Sequence, residues 1–199
     1  MTLIKASLLT LFLILSSCAS AHQPGPHTES YIVPVTFDTA LTAAQREATL
    51  SAMGQWNRQT GGAVFFTEVP FPATTLAQER FLGVLIGVAN SDHPNILIMD
   101  AMAKGTVLGV TFSGTRSPAS NQTLILMVQD RLDNESWRGV MLHELGHSVG
   151  IGHLGDTEAV MYHLYKRNSS KCLLKSDLDA FCEKQVCKDF EIQPCEHAE

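Results

Sequence analysis

Five residues within one eleven-position window constrain this chain more than anything else in it: His143, Glu144, His147, Gly150 and His153. Two histidines four apart on a helix project from one face, where both imidazoles reach a single metal ion. Glu144 then stands beside that ion, where a carboxylate can take a proton from a metal-activated water and return it to a leaving amine. Gly150, three residues after His147, lets the helix end in a left-handed turn at little cost, so that the chain doubles back and His153 supplies a third ligand. Three neutral protein ligands leave the fourth position of a tetrahedral zinc open, which is the arrangement of a catalytic ion and not of a closed structural one. Chance would supply this pattern in a chain of such length with a probability on the order of 10⁻⁵ to 10⁻⁴.

The motif sits on a helix that the pattern predicts from about Glu135 to Val149. Upstream, Tyr31 to Phe37 reads as a first strand, with Pro34 marking it as an edge strand or the start of one. Thr42 opens a helix on which Leu41, Ala44, Ala48, Met53 and Trp56 fall near helical spacing, and Gly61-Gly62 ends it. Ala63 to Val69 is a second strand, and Phe81 to Ala89 reads as a further strand or a hairpin arm. Ile96–Met99, Thr106–Phe112 and Thr123–Val128 are short, apolar and bounded by turn residues, so all three are expected as strands. A last helix is expected to begin at Ser176, with its hydroxyl as cap and Asp179 favouring the dipole. A strand, a helix, several strands and then two helices make an α+β or mixed α/β domain with a twisted sheet packed on helices.

With 199 residues, 45% of them hydrophobic and 17% charged, the chain can bury one sizeable core. A formal net charge of -6 gives no basis for binding nucleic acid. Lys5 followed by the apolar run Leu8 to Leu15 has the order of a secretory signal and is too short to span a membrane. Two readings of its end compete. Leu15-Ser16-Ser17-Cys18 resembles a bacterial lipobox that would lipidate Cys18, and Ala19-Ser20-Ala21 is a cleavage site that would release a soluble protein. The organisation expected is therefore a signal over 1–21, a tether over 22–30 and a single catalytic domain over 31–199 with a stapled tail over 172–199. Export leads to the cell envelope as a lipoprotein or to the extracellular medium, as a monomer whose only membrane contact is a lipid on Cys18. Cys172, Cys182, Cys187 and Cys195 are expected to form two disulfides, in any of three pairings. His22, His27, His93 and His197 read as solvated, and Trp56 and Trp137 as core residues.

The zinc motif and the segment Ala159-Val160-Met161-Tyr162 resemble the metzincin clan of zinc peptidases, and within it the matrixins, the matrix-metalloproteinase family. The second segment is similar to the family's Met-turn, with Met161 eight residues beyond His153. Val107 to Ser113 is similar to the matrixin edge strand, and Val64 to Val69 to its second strand. The resemblance implies a mostly parallel five-stranded sheet, an active-site helix, a methionine floor beneath one catalytic zinc and a C-terminal helix. It also implies endopeptidase activity on peptides or proteins, with extended substrates paired to the edge strand at Leu108 and Gly109. Tyr165 is then the wall of the pocket that takes the side chain after the scissile bond.

Departures from the pattern carry expectations of their own. Val110 stands where matrixins place a ligand of a second, structural zinc, so one zinc is expected. Asp130, Asp133 and Glu135 lie where matrixins bind calcium, but at a different spacing, which leaves calcium a minor alternative. No Cys-switch prodomain is expected in the short tether. His163 takes a position two after Met161 where astacins and serralysins carry a tyrosine, and reads either as a solvent-facing or pocket-wall histidine or as a contact for the metal-activated water or the oxyanion. Two rival functions remain open, a zinc-containing peptide-binding surface module that does not cut and a hydrolase of cell-wall peptide cross-links; an intact Glu144 speaks against the first.

Overall fold

The computed structural model describes residues 30–70, 83–113, 122–166, 172–185 and 187–195. Strand β1 (Tyr31–Phe37) leads to helix α1 (Ala43–Gln59), β2 (Val64–Glu68), β3 (Gly83–Ala89), α2 (Pro94–Ala103), β4 (Gly109–Ser113), β5 (Gln122–Val128), α3 (Asn134–Ser148) and α4 (Lys175–Lys184). The five strands form one sheet in the order β2-β1-β3-β5-β4. The first four run parallel and β4 runs antiparallel to β5 at the edge. Parallel neighbours need a crossover, and α1 supplies it between β1 and β2. This is the mixed α/β architecture with a mostly parallel five-stranded sheet that the resemblance implied.

Thr42 starts α1 through a capping box: its hydroxyl accepts from the Gln45 backbone N–H at 3.3 Å, and the Gln45 side chain accepts from the Thr42 N–H at 2.9 Å. Gly61 and Gly62, both at positive φ, turn the chain into β2. Ala52, Met53 and Trp56 of α1 pack with Trp137, Met141 and Leu145 of α3 against Val35, Ile86, Ile125 and Met127 of the sheet. The Trp56 indole N–H donates to the Leu142 carbonyl, and the Trp137 N–H to the Thr49 hydroxyl, each at 3.0 Å. Both tryptophans thus tie α1 to α3 with their one donor satisfied.

Three expectations need correction. Ile96–Met99 lies inside α2 and is not a strand. The His93 ring accepts from the Asn95 N–H at the helix start, Pro94 holds the first helical position and Lys104 closes the end in a left-handed conformation. A short apolar run has no period of its own to separate strand from helix, and Leu, Met and Ala favour the helix. Pro34 is in an inner strand, because β1 lies between β2 and β3. It is tolerated there because pairing with β3 begins only at Val35. Helix α4 starts at Lys175 and not at Ser176. The buried Asp177 carboxylate, not the Ser176 hydroxyl, takes the Leu174 N–H at 2.9 Å, while Ser176 donates to Asp156 at 2.8 Å.

Alternation along the strands sends a second, smaller apolar cluster to the opposite face of the sheet, where Ala89, Val110 and Val128 meet Ile96 of α2. Beyond α4 the tail returns to α1. Cys172 pairs with Cys195 and Cys182 with Cys187. The buried Gln59 side chain donates to the Leu173 and Gln193 carbonyls and accepts from the Leu173 N–H. The segments expected as signal, as lipobox with Cys18 and, nearly all of it, as tether lie outside the described residues.

Candidate metal centre

Asp133 caps α3 by accepting from the Ser136 N–H at 2.7 Å, and from that start the helix carries His143, Glu144 and His147 into a cleft of about 1100 Å³. Helix α3 stops at Ser148, and Gly150 adopts φ +91, a backbone that a side chain would strain. The turn it makes brings His153 back over the helix. Ligand atoms of His143, His147 and His153 lie within 4.8 Å of one another, and among the described residues no other group of three or more His, Cys, Asp or Glu is gathered this way.

The orientation of the rings decides what they can bind. His143 Nδ1 is 2.7 Å from the Val160 carbonyl, and His147 Nδ1 is 2.7 Å from the Ile151 carbonyl. A carbonyl only accepts, so each Nδ1 carries the proton and each Nε2 presents a lone pair. His147 Nε2 then faces His153 Nε2 at 3.2 Å. That contact is a hydrogen bond in one His153 tautomer and, in the other, two lone pairs set to share one cation; three clustered imidazole nitrogens suit zinc. Burial, reinforced by the neighbouring His147, pushes the His143 ring down to about 4, and burial also lowers His147 and His153. All three are therefore neutral near pH 7 and need lose no proton to bind an ion.

Glu144 is buried beside this cluster, and burial raises its carboxyl to about 7, opposed by one hydrogen bond. The donor is the Thr111 hydroxyl on β4, 2.6 Å from Oε2 and 3.1 Å from the Glu144 carbonyl oxygen. Gly109 lets the strand come this close, since a Cβ there would lie 2.9 Å from Oε1 of Glu144 and 3.0 Å from a Val140 methyl. Leu108, Gly109, His163 and Tyr165 all line the same cleft. Tyr165 stacks on the helix at Gly139, where a Cβ would meet its ring at 2.8 Å. His163 has its ring centre 6.2 Å from that of His153.

Beneath the cluster Met161 is fully buried, with its sulfur against Gly146 of α3. Its turn is held from α4: the Asp177 carboxylate accepts from the Val160 N–H at 3.1 Å and from the Met161 N–H at 2.9 Å. The sequence reading overlooked Thr111, Asp177 and Gly146. Gly146 falls inside the motif window and could have been noticed as a small residue facing the floor. Val110 is buried against α2, Asp130 accepts from the Ser91 backbone and hydroxyl, and Asp133 is the helix cap.

Compared with known protein families, residues 26–183 match the family described as Matrixin. A search of curated proteins gave no match.

Proposed function

The chain belongs to the matrixin family of metallopeptidases, and on that premise we propose that it is a zinc-dependent endopeptidase held to its chemistry by His143, His147, His153 and Glu144. The observation that carries this reading is the convergence of three imidazoles, two of them with Nε2 left unprotonated by their carbonyl contacts, beside a buried carboxylate at the foot of a sheet edge that is unpaired among the described residues. Zinc bound there supplies Lewis acidity, which polarises the scissile carbonyl and makes a water nucleophilic near neutral pH.

The protein's own groups do the rest. Among the described residues strand β4 pairs on one side only, with β5, so an extended peptide can add to its other edge along Leu108 and Gly109. Glu144 takes the proton of the attacking water and delivers it to the leaving nitrogen, the work of a buried carboxylate beside the ion. Thr111 holds that carboxylate toward the cleft. Tyr165 walls the pocket for the side chain after the scissile bond, and His163 at the rim donates to the developing oxyanion. Two disulfides accord with export to an oxidising compartment, where peptides and proteins would be the substrates.

A quenched-fluorescent peptide library, run on the purified chain with Glu144→Ala and His163→Ala in parallel and with a metal count by mass spectrometry, tests the reading. Cleavage at one zinc per chain that vanishes with chelator and with Glu144→Ala is the expected result. One bound zinc with no cleavage of any peptide would overturn the endopeptidase, and kcat/KM within about twofold of wild type for His163→Ala would remove that histidine from the chemistry.

A further inference from the structure

Helix α2 is apolar nearly all the way round. Asn95 and Asp100 are the only polar residues in Pro94–Ala103. Ile96 faces the sheet and is buried, while Leu97, Ile98 and Met102 are exposed by 54, 57 and 72%. A surface helix carries polar residues opposite its core stripe, and one without them is covered in use. Fraying does not explain the exposure, because the helix is pinned. Arg131 donates twice to the Asp100 carboxylate, at 2.9 and 2.7 Å, and once to the Val107 carbonyl at 2.7 Å.

The exposed face is continuous with the cleft. Met99 and Ala103 of the same helix line the cleft, as do Gly105, Thr106 and Val107, which lead from α2 into the edge strand. Met102 follows Met99 by three positions and Ile98 by four, so the three side chains form one row from cleft wall to outer surface. The row contains no charge. Lys104 is the only cation within two residues of the helix, so an anionic surface finds little to hold, whereas an apolar chain finds an unbroken track.

We propose that Leu97, Ile98 and Met102 form an extended docking surface for the substrate polypeptide, one that takes an apolar stretch lying outside the residues around the scissile bond. The proposal rests on the endopeptidase reading of the cleft. It makes the preferred substrates polypeptides long enough to reach from the zinc cluster across α2, and apolar where they do so.

Three quenched-fluorescent probes test it: an octapeptide with a cleavable core, the same core extended at both ends by about ten residues rich in Leu and Phe, a reach of ~35 Å per arm when extended, and a control with Ser and Gly arms. The wild-type chain should favour the apolar-armed probe over the other two by roughly tenfold in kcat/KM, expressed in KM. The triple variant Leu97→Gln, Ile98→Gln, Met102→Gln should lose that advantage while turning over the octapeptide within about twofold of wild type, which also reports its fold. Should the triple variant fail on the octapeptide, Met102→Ser alone decides, with the advantage expected to fall about threefold or more. Equal handling of all three probes by the wild type would overturn the proposal, as would an advantage that survives the substitutions. Wild-type binding to phosphatidylcholine vesicles, or self-association on gel filtration, that the variants lose while no apolar advantage exists would assign the face to another occupant. A wild-type chain that holds one zinc and cuts none of the probes sinks the endopeptidase reading itself, and substrate docking with it.

Discussion

The Thr111 hydroxyl gives the buried Glu144 carboxylate its hydrogen bond from the edge strand, and so fixes which way that carboxylate points. Replacing Thr111 by valine keeps the shape and deletes the donor. The expected outcome is a kcat lowered roughly tenfold at unchanged KM, restored by Thr111→Ser, because a general base must be positioned before it can act. Steady-state kinetics with a metal count on each variant would check this, and a valine variant with wild-type kcat would remove Thr111 from that role. The five residues of the zinc window could be read directly, since one turn of helix and one glycine place them by local geometry alone. Thr111 could not, because its partner lies 33 residues away and a threonine in a strand looks like any other β-former. Asp177 escaped for a related reason. It reaches the Met-turn across a gap of 16 residues, and an acidic residue near a helix start reads as a cap before it reads as a tie between segments.

At the scale of elements, α2 is seated by Ile96 in the smaller apolar cluster and by one ion pair, Arg131 to Asp100. The Arg131 side chain, with help from the Val107 N–H, holds the Asp100 carboxyl below its ordinary value of 3.8. A depressed carboxyl contributes its stabilisation in full above the unfolded value and loses it as pH falls through the lower folded one. Amide exchange of residues 94–103 should therefore be faster in Asp100→Asn than in wild type at neutral pH, and the difference should narrow below about pH 4. An unchanged difference down to that pH would show that α2 is seated by its apolar contacts instead. The other elements were legible to the extent that their signals were local. Thr42 with Gln45 and Gly61 with Gly62 mark both ends of α1, and β5 is a β-branched and apolar run flanked in sequence by turn-forming residues. Strand order was not local, which is why Pro34 suggested an edge that the register of β1 between two neighbours does not give it.

Over the whole molecule, one core joins the sheet, α1 and the helix bearing the histidines, and the tail is fastened to it by a disulfide and by Gln59. Cys172 and Cys195 close a loop with a sequence separation of 23, within which Leu173 and Gln193 bind Gln59 of α1. Changing both cysteines to serine should lower stability by about 3 kcal/mol on the loop-closure estimate, read as a shift in the midpoint of guanidinium unfolding. A midpoint that does not move would mean that Gln59 and the Leu173 core contact hold the tail unaided. Four late cysteines, together with the secretory signal expected upstream, pointed to staples, yet pairing depends on which residues α4 brings together, and sequence spacing alone permits all three arrangements. The closed loop also bears on survival. It encloses α4, whose Asp177 steadies the floor of the metal cluster, so one backbone cut anywhere between Cys172 and Cys195 leaves both pieces covalently attached. For the endopeptidase proposed above, that means a single autolytic cut in this loop does not release the helix.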